Sequence, residues 1–185
     1  IVMSSRIRLA RNLAKVPCPN KSGKKDLDAA LALVEKAVGQ IDLLKGSSLF
    51  RMSDLDQVDR QMLVERHLMS HEHASNPEGK GLLVSAEEVV SVMINEEDHL
   101  RIQVMRSGLS LTDAWGIINA IDDALSKELP YAFMNNWGYL TACPTNTGTG
   151  MRGSVMMHLP ALVTTKQINK VLAAISKLSF ASRGF

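Results

Sequence analysis

The stretch VVSVMINEEDHLR, residues 89–101, decides how the chain is read. Its first six residues alternate like a strand: Val90, Val92 and Ile94 face one way, Val89, Ser91 and Met93 the other. Glu96, Glu97 and Asp98 follow at the strand end, with His99 and Arg101 close behind. Three adjacent acids repel one another, so something must hold them there. Just upstream lies a second apolar run, GLLV at residues 81–84. Only four residues separate the two runs. A parallel pairing would need a crossover connection, so they must pair antiparallel.

Working outward, further β-like runs occupy residues 48–52, 139–143 and 154–159. Helical periodicity appears over residues 26–44, with Leu27, Ala30, Leu31, Leu33, Val34 and Val38 inward, and over 55–67, with Leu63 and Val64 inward. It appears again over about 112–127 and over 166–178, where Thr164 or Thr165 is the expected N-cap. No strict βαβ rhythm, internal repeat or low-complexity linker interrupts this order. The expected class is α+β, a largely antiparallel sheet flanked by helices, forming a single domain over residues 1–185.

The length of 185 residues suits one domain with a proper core. Apolar residues at 45% and charged residues at 22% are ordinary for a soluble globular protein. A formal charge of +2 is too small to argue for nucleic acid or an anionic membrane, and direct nucleic-acid binding is not expected. No apolar stretch reaches the roughly 18 residues of a membrane span, and no signal-peptide pattern opens the chain. Cys18 and Cys143 stand far apart and read as reduced thiols of a cytoplasmic protein. The start at Ile1, inside a structured-looking segment, and the end at SRGF, without cap or polar tail, suggest a piece of a longer protein.

Four arginines draw the charged residues together. Arg6 and Arg8 share one face if SSRIRLARN is extended, with Ile7 and Leu9 on the other. Arg101 follows the acids, and Arg152 ends the glycine- and threonine-rich segment CPTNTGTGMRGS, residues 143–154. Any one of them alone would be an ordinary surface charge. Four beside glycine-rich backbone are what a phosphate site needs, because the guanidinium fork binds phosphate oxygens bidentately and stays charged. A carboxylate among such cations stays ionised and can accept a proton. Spacing alone leaves the other possibility open, a turn whose acids are merely ion-paired with Arg101.

Several known patterns fail. NPEGKG has Gly81 where a P-loop needs Ser or Thr, and Ala74 where it needs its first glycine. TNTGTG is not a G-x-G-x-x-G fingerprint. His67, His71 and His73 in HLMSHEH have spacings usable by zinc, but the run reads as a solvated helix end with no further ligand nearby, and no metal site is expected.

SSRIRLARN, INEEDHLRIQ and CPTNTGTGMR, in that order, resemble the signatures of the ATP:guanidino phosphotransferases, the phosphagen kinase family. The resemblance covers essentially the whole chain. Within the family, EEVVSVMINEEDHLRIQ and GYLTACPTNTGTGMRGSVMMHLPALV resemble the bacterial enzymes that phosphorylate arginine in proteins more than those acting on free arginine or creatine. The fold so implied is the phosphagen kinase, glutamine synthetase-like, catalytic domain. The implied cofactors are ATP and Mg²⁺. Carried over residue by residue, Arg6, Arg8, Arg101 and Arg152 match the nucleotide-phosphate clamp, and His67 matches a histidine near the adenine. Glu97 matches the carboxylate that contacts the substrate guanidinium and acts as general base, and Cys143 the cysteine beside that guanidinium. Asn95, Glu96, Asp98 and His99 take supporting roles.

The arginines would also lower the Cys143 thiol pKa, with an inert thiol as the alternative. Implied partners are protein substrates, marked at arginine for degradation by a Clp-type protease in a stress response. The family continues past the segment matching SRGF into a mobile loop with a second acidic residue, so impaired turnover is expected of this piece alone. Two other readings stay open: a kinase of free arginine, and a non-catalytic module that binds nucleotide or phosphoarginine. The presence of Glu97 and Cys143 speaks against the module, which has no need of a base.

Overall fold

The computed structural model describes residues 1–183; of the closing SRGF, the last two residues lie outside that range. In chain order the elements are β1 (Val2–Arg11), α1 (Lys24–Val38), β2 (Ser48–Arg51), α2 (Gln57–Glu65), α3 (His71–Ser75), β3 (Gly81–Val84) and β4 (Val90–Ile94). They continue with β5 (Leu100–Ser107), α4 (Leu111–Glu128), β6 (Phe133–Met134), β7 (Gly138–Tyr139), β8 (Met151–Met157), α5 (Pro160–Thr164) and α6 (Ile168–Lys177). Six strands form one sheet in the order β2-β3-β4-β5-β1-β8, and every neighbouring pair is antiparallel. β6 and β7 form a separate small hairpin.

The opening stretch behaves as its alternation demands. Gly81 pairs with Ile94 and Val84 with Ser91, the antiparallel hairpin expected from the short connection. Val90, Val92 and Ile94 enter a core cluster with Ile7, Leu9, Ile102 and Val104, closed by α1 and α4. Met93, on the opposite face, joins Met52, Leu63, Val64 and Leu82 in a second cluster under α2. The sheet is thus covered on both faces at this end, which is why β3 and β4 are buried throughout.

The element ends differ from expectation for local reasons. α1 stops at Val38 rather than running to 44, because Gly39 caps it and a short 3₁₀ turn, Asp42–Leu44, follows. α2 starts only after Asp56, whose carboxylate accepts the Asp59 N–H at 2.8 Å. Thr164 and Thr165 do not cap α6; their hydroxyls donate back to the carbonyls of Pro160 and Ala161 at the start of α5, and Gln167 precedes α6 instead. Of the expected strand at 139–143 only Tyr139 pairs as one, because the Ala142 N–H is taken by the Asp98 carboxylate. β8 begins at Met151, three residues before the expected start at 154. β5 was not expected as a strand at all. Its core-facing residues Leu100, Ile102 and Val104 alternate with Arg101 and Gln103, and the polar half masks the pattern.

Candidate active site

The register of the sheet gathers the arginines. Ile7 and Leu9 point into the core, which turns Arg6 and Arg8 to the opposite face. Arg8 lies directly across from Arg152 on β8 and from Gln103 on β5. Arg6 lies across from Ser154, and Arg101 across from Ala10. All four arginines therefore bound one cavity of about 920 Å³, together with Glu96, Glu97, Lys80 and Arg183. Arg6 and Arg8 are half-buried, yet among the described residues neither they nor Arg152 makes an ion pair. Burial, and then the charges of Arg101, Arg6 and Arg152, pull the Arg8 guanidinium down to about 9. Arg6 is lowered by the same combination of burial and neighbouring cations. Crowded, partly desolvated cations in excess over the two glutamates beside them are a receptacle for an anion; a polyphosphate supplies the missing charge and matches the guanidinium forks.

The three acids are held by three different means. Glu96 takes both its oxygens to Arg101 Nη1, at 2.6 and 2.8 Å, and accepts the Ser70 hydroxyl as well. Burial pushes its carboxyl up, but Arg101 and these hydrogen bonds outweigh it and leave it below the ordinary glutamate value. Asp98, buried, accepts from Asn12 Nδ2 at 2.6 Å and from the Ala142 N–H at 2.7 Å. Its carboxyl is nevertheless raised, chiefly by burial. Glu97 is exposed and, among the described residues, has no hydrogen-bonding partner of its own. Burial, followed by the charges of Asp98 and Glu96, raises its carboxyl. Beside the main cavity, Glu97, Asp98, Asn146, Gly150 and Arg152 help to bound a recess of about 130 Å³. An unpaired carboxylate at the junction of the two spaces is free to take a proton from a group seated in the recess.

Two of the expected site residues stand outside the lining of both spaces. His67 is exposed, with φ of 60°, and its carbonyl accepts the Gln103 side chain at 2.8 Å. Cys143 is half-buried in the loop after β7, its Sγ 2.9 Å from Thr145 Oγ1. His71 is exposed, whereas His73 is wholly buried with Nε2 2.9 Å from the Gly81 carbonyl. Among the described residues, no group of three or more His, Cys, Asp or Glu side chains is arranged to hold a metal ion.

The structure adds residues that the sequence reading passed over. Arg183 and Lys80 bound the main cavity. Arg11, 3% exposed, pairs with Asp122 of α4 at 2.7 Å, donates to the carbonyls of Ala10 and Thr149, and lies 3.5 Å from the centre of the Tyr139 ring. It fastens the loop between β7 and β8 to the core. Its neighbours Arg6 and Arg8 drew attention as a charged pair, and nothing in the sequence marked Arg11 as the one that is buried.

A model of the ATP:guanido phosphotransferase C-terminal catalytic domain matches residues 30–185. The chain belongs to this family. As an ATP:guanido phosphotransferase domain it is similar along its whole length to the protein-arginine kinase of Desulforamulus reducens, 48% identical over 187 residues, and to that of Halothermothrix orenii, 50% identical over 184. Both alignments take in residues 1–29, which the family model does not reach. The chain spans about half the length of these curated relatives, 52% in each case. Among solved phosphotransferases, the duplicated taurocyamine kinase of Schistosoma mansoni with bound transition state analog components matches 94% of this chain and 26% of its own, with a TM-score of 0.82 at 26% identity. A lombricine kinase gives a TM-score of 0.81 at 23% identity, over 94% of this chain and 52% of that one, a likeness of fold. The α+β class with its antiparallel sheet is that of these kinases.

Proposed function

We propose that this domain transfers the γ-phosphoryl group of MgATP to the guanidinium of arginine side chains in proteins. The observation that carries the reading is the convergence of Arg6, Arg8, Arg101 and Arg152 on one sheet face beside the unpaired carboxylate of Glu97. The names of the curated relatives support the acceptor class. One sheet running from β1 to β8 supports a single catalytic unit.

A guanidinium is a poor nucleophile, because its lone pairs are delocalised and its pKa is about 12.5–13.8. Glu97 orients it and accepts its proton as the N–P bond forms and the bond between γ-phosphorus and the bridging oxygen breaks, with ADP leaving. Charge in transit sits on the phosphoryl oxygens, so the arginines contribute by positioning and electrostatic stabilisation. Mg²⁺ bound to the nucleotide would neutralise phosphate charge beside the arginines. Glu96 keeps Arg101 aligned. By the family resemblance Cys143, in the loop whose Asn146 bounds the recess, is assigned the place beside the guanidinium, and His67 the border of the adenine.

The test uses the intact parent protein with MgATP, offered free arginine and, separately, an unfolded protein. Acid-labile phosphate is sought by mass spectrometry under non-acidic conditions. Label on protein arginine alone supports the proposal. Label on free arginine alone makes the domain a phosphagen kinase, and label on neither, with ATP still bound, makes it a binding module.

A further inference from the structure

Asn12, the residue after β1, is 3% exposed and saturated with hydrogen bonds. Its Nδ2 donates to Asp98 at 2.6 Å and to the Leu140 carbonyl at 3.2 Å. Its Oδ1 accepts the His99 N–H at 2.9 Å and lies 2.8 Å from His99 Nδ1. These partners fix which end of the amide is which: two oxygens face the NH₂ group and a backbone N–H faces the oxygen. Asp98 in turn accepts the Ala142 N–H. One side chain thereby ties together the turn that carries Glu97 and the segment that leads into Cys143.

The geometry points to Asn12 as a positioning residue that sets the spacing between Glu97 and the Cys143 loop, and so the seat of the guanidinium acceptor. This rests on the phosphotransfer reading above. The phosphate-binding arginines lie on the sheet face, off this network, so ATP binding is independent of Asn12.

Shape alone does not satisfy the position; the amide is required. Aspartate has the same size but would set a carboxylate oxygen against Asp98 and against the Leu140 carbonyl. Both contacts become repulsive, and the turn and loop part. Asn12→Ala is the second variant: it removes the same two donated hydrogen bonds without setting a charge against Asp98.

The experiment measures steady-state kinetics of the intact parent protein and its variants, together with thermal stability. It also measures the rate at which an aromatic disulfide reagent labels Cys143, read from the Cys143 peptide by mass spectrometry. For Asn12→Asp, kcat/KM for the arginine acceptor is expected to fall by a factor of about 10 to 100, with the KM for ATP within about twofold. Cys143 labelling accelerates in both Asn12→Asp and Asn12→Ala. The inference is overturned if acceptor kinetics and labelling stay at the wild-type level. It is equally overturned if ATP and acceptor constants worsen together with the melting temperature, which is what a merely structural residue would do. Should the wild-type protein phosphorylate no arginine, the functional reading falls, while the labelling rates still decide whether Asn12 couples turn and loop.

Discussion

Arg8 on β1 and Arg152 on β8 stand directly opposite each other across two hydrogen-bonded strands, two cations with no acid between them. Like charges so placed cost roughly 0.2–1 kcal/mol. The ligand-free domain therefore carries a repulsion that its ligand removes. Arg152→Gln is expected to leave the melting temperature of the free protein unchanged or raise it by about 1–3 °C, while shrinking the further rise that MgATP produces. Thermal melts with and without nucleotide decide it. A lower melting point with an undiminished nucleotide effect would remove Arg152 from the phosphate site.

Glu97→Gln keeps the size of the side chain and removes its basicity. Transfer should drop by a factor of about 10² to 10⁴, with ATP affinity nearly intact, as read by isothermal titration beside the arginine-phosphorylation assay. Because the Glu97 carboxyl is raised above the ordinary glutamate value, the base is lost by protonation as pH falls. The acid limb of the rate profile should lie above that ordinary value. Unchanged transfer in the variant would show that another group takes the proton.

His73 makes stability depend on pH. Burial, then the charge of Lys80, pulls its pKa from 6.5 down to about 4. The folded state thus holds it neutral in a range where the unfolded chain protonates. Its contribution is present above pH 6.5 and disappears as pH falls toward 4, a loss of up to about 3 kcal/mol. Urea midpoints should hold from pH 7.5 to about 6.5 and fall from there to pH 4.5, and His73→Gln should flatten that fall. A slope that survives the substitution assigns the effect to other groups.

Gly150 has φ of 61°, and a Cβ there would lie 2.6 Å from the Ala10 carbonyl and from Arg11 Nη1. Gly150→Ala is therefore strained twice, by backbone conformation and by contact with the strand. A loss of about 1–3 kcal/mol is expected in urea unfolding. A cost of only a few tenths would mean that the loop can move away from β1 freely.

What the sequence disclosed follows from where each side chain spends its chemistry. The hairpin of β3 and β4 was legible because both of its faces are buried and its connection is short. β5 was not, because its core residues alternate with Arg101, which bounds the cavity, and with Gln103, a buried amide that donates to the His67 carbonyl. The residue types of the site were visible; their division of labour was not. Glu96 and Glu97 are neighbours with opposite fates, decided by Ser70, 26 positions away in sequence, and by Arg101. Spacing cannot show that Asn12 reaches Asp98 or that Arg11 reaches Asp122, contacts 86 and 111 positions apart.

The alternation of β1 has a consequence for how the chain finds its fold. A slip of that strand by one position would drive Arg6 and Arg8 into the apolar cluster and expel Ile7 and Leu9. Each stranded guanidinium would cost several kcal/mol. The side chains that await phosphate therefore also proofread the pairing of the central strand, and replacing both by leucine would erase that check. Such a variant would lose more than its ligand: β1 would have two apolar faces and two nearly equal ways to pair.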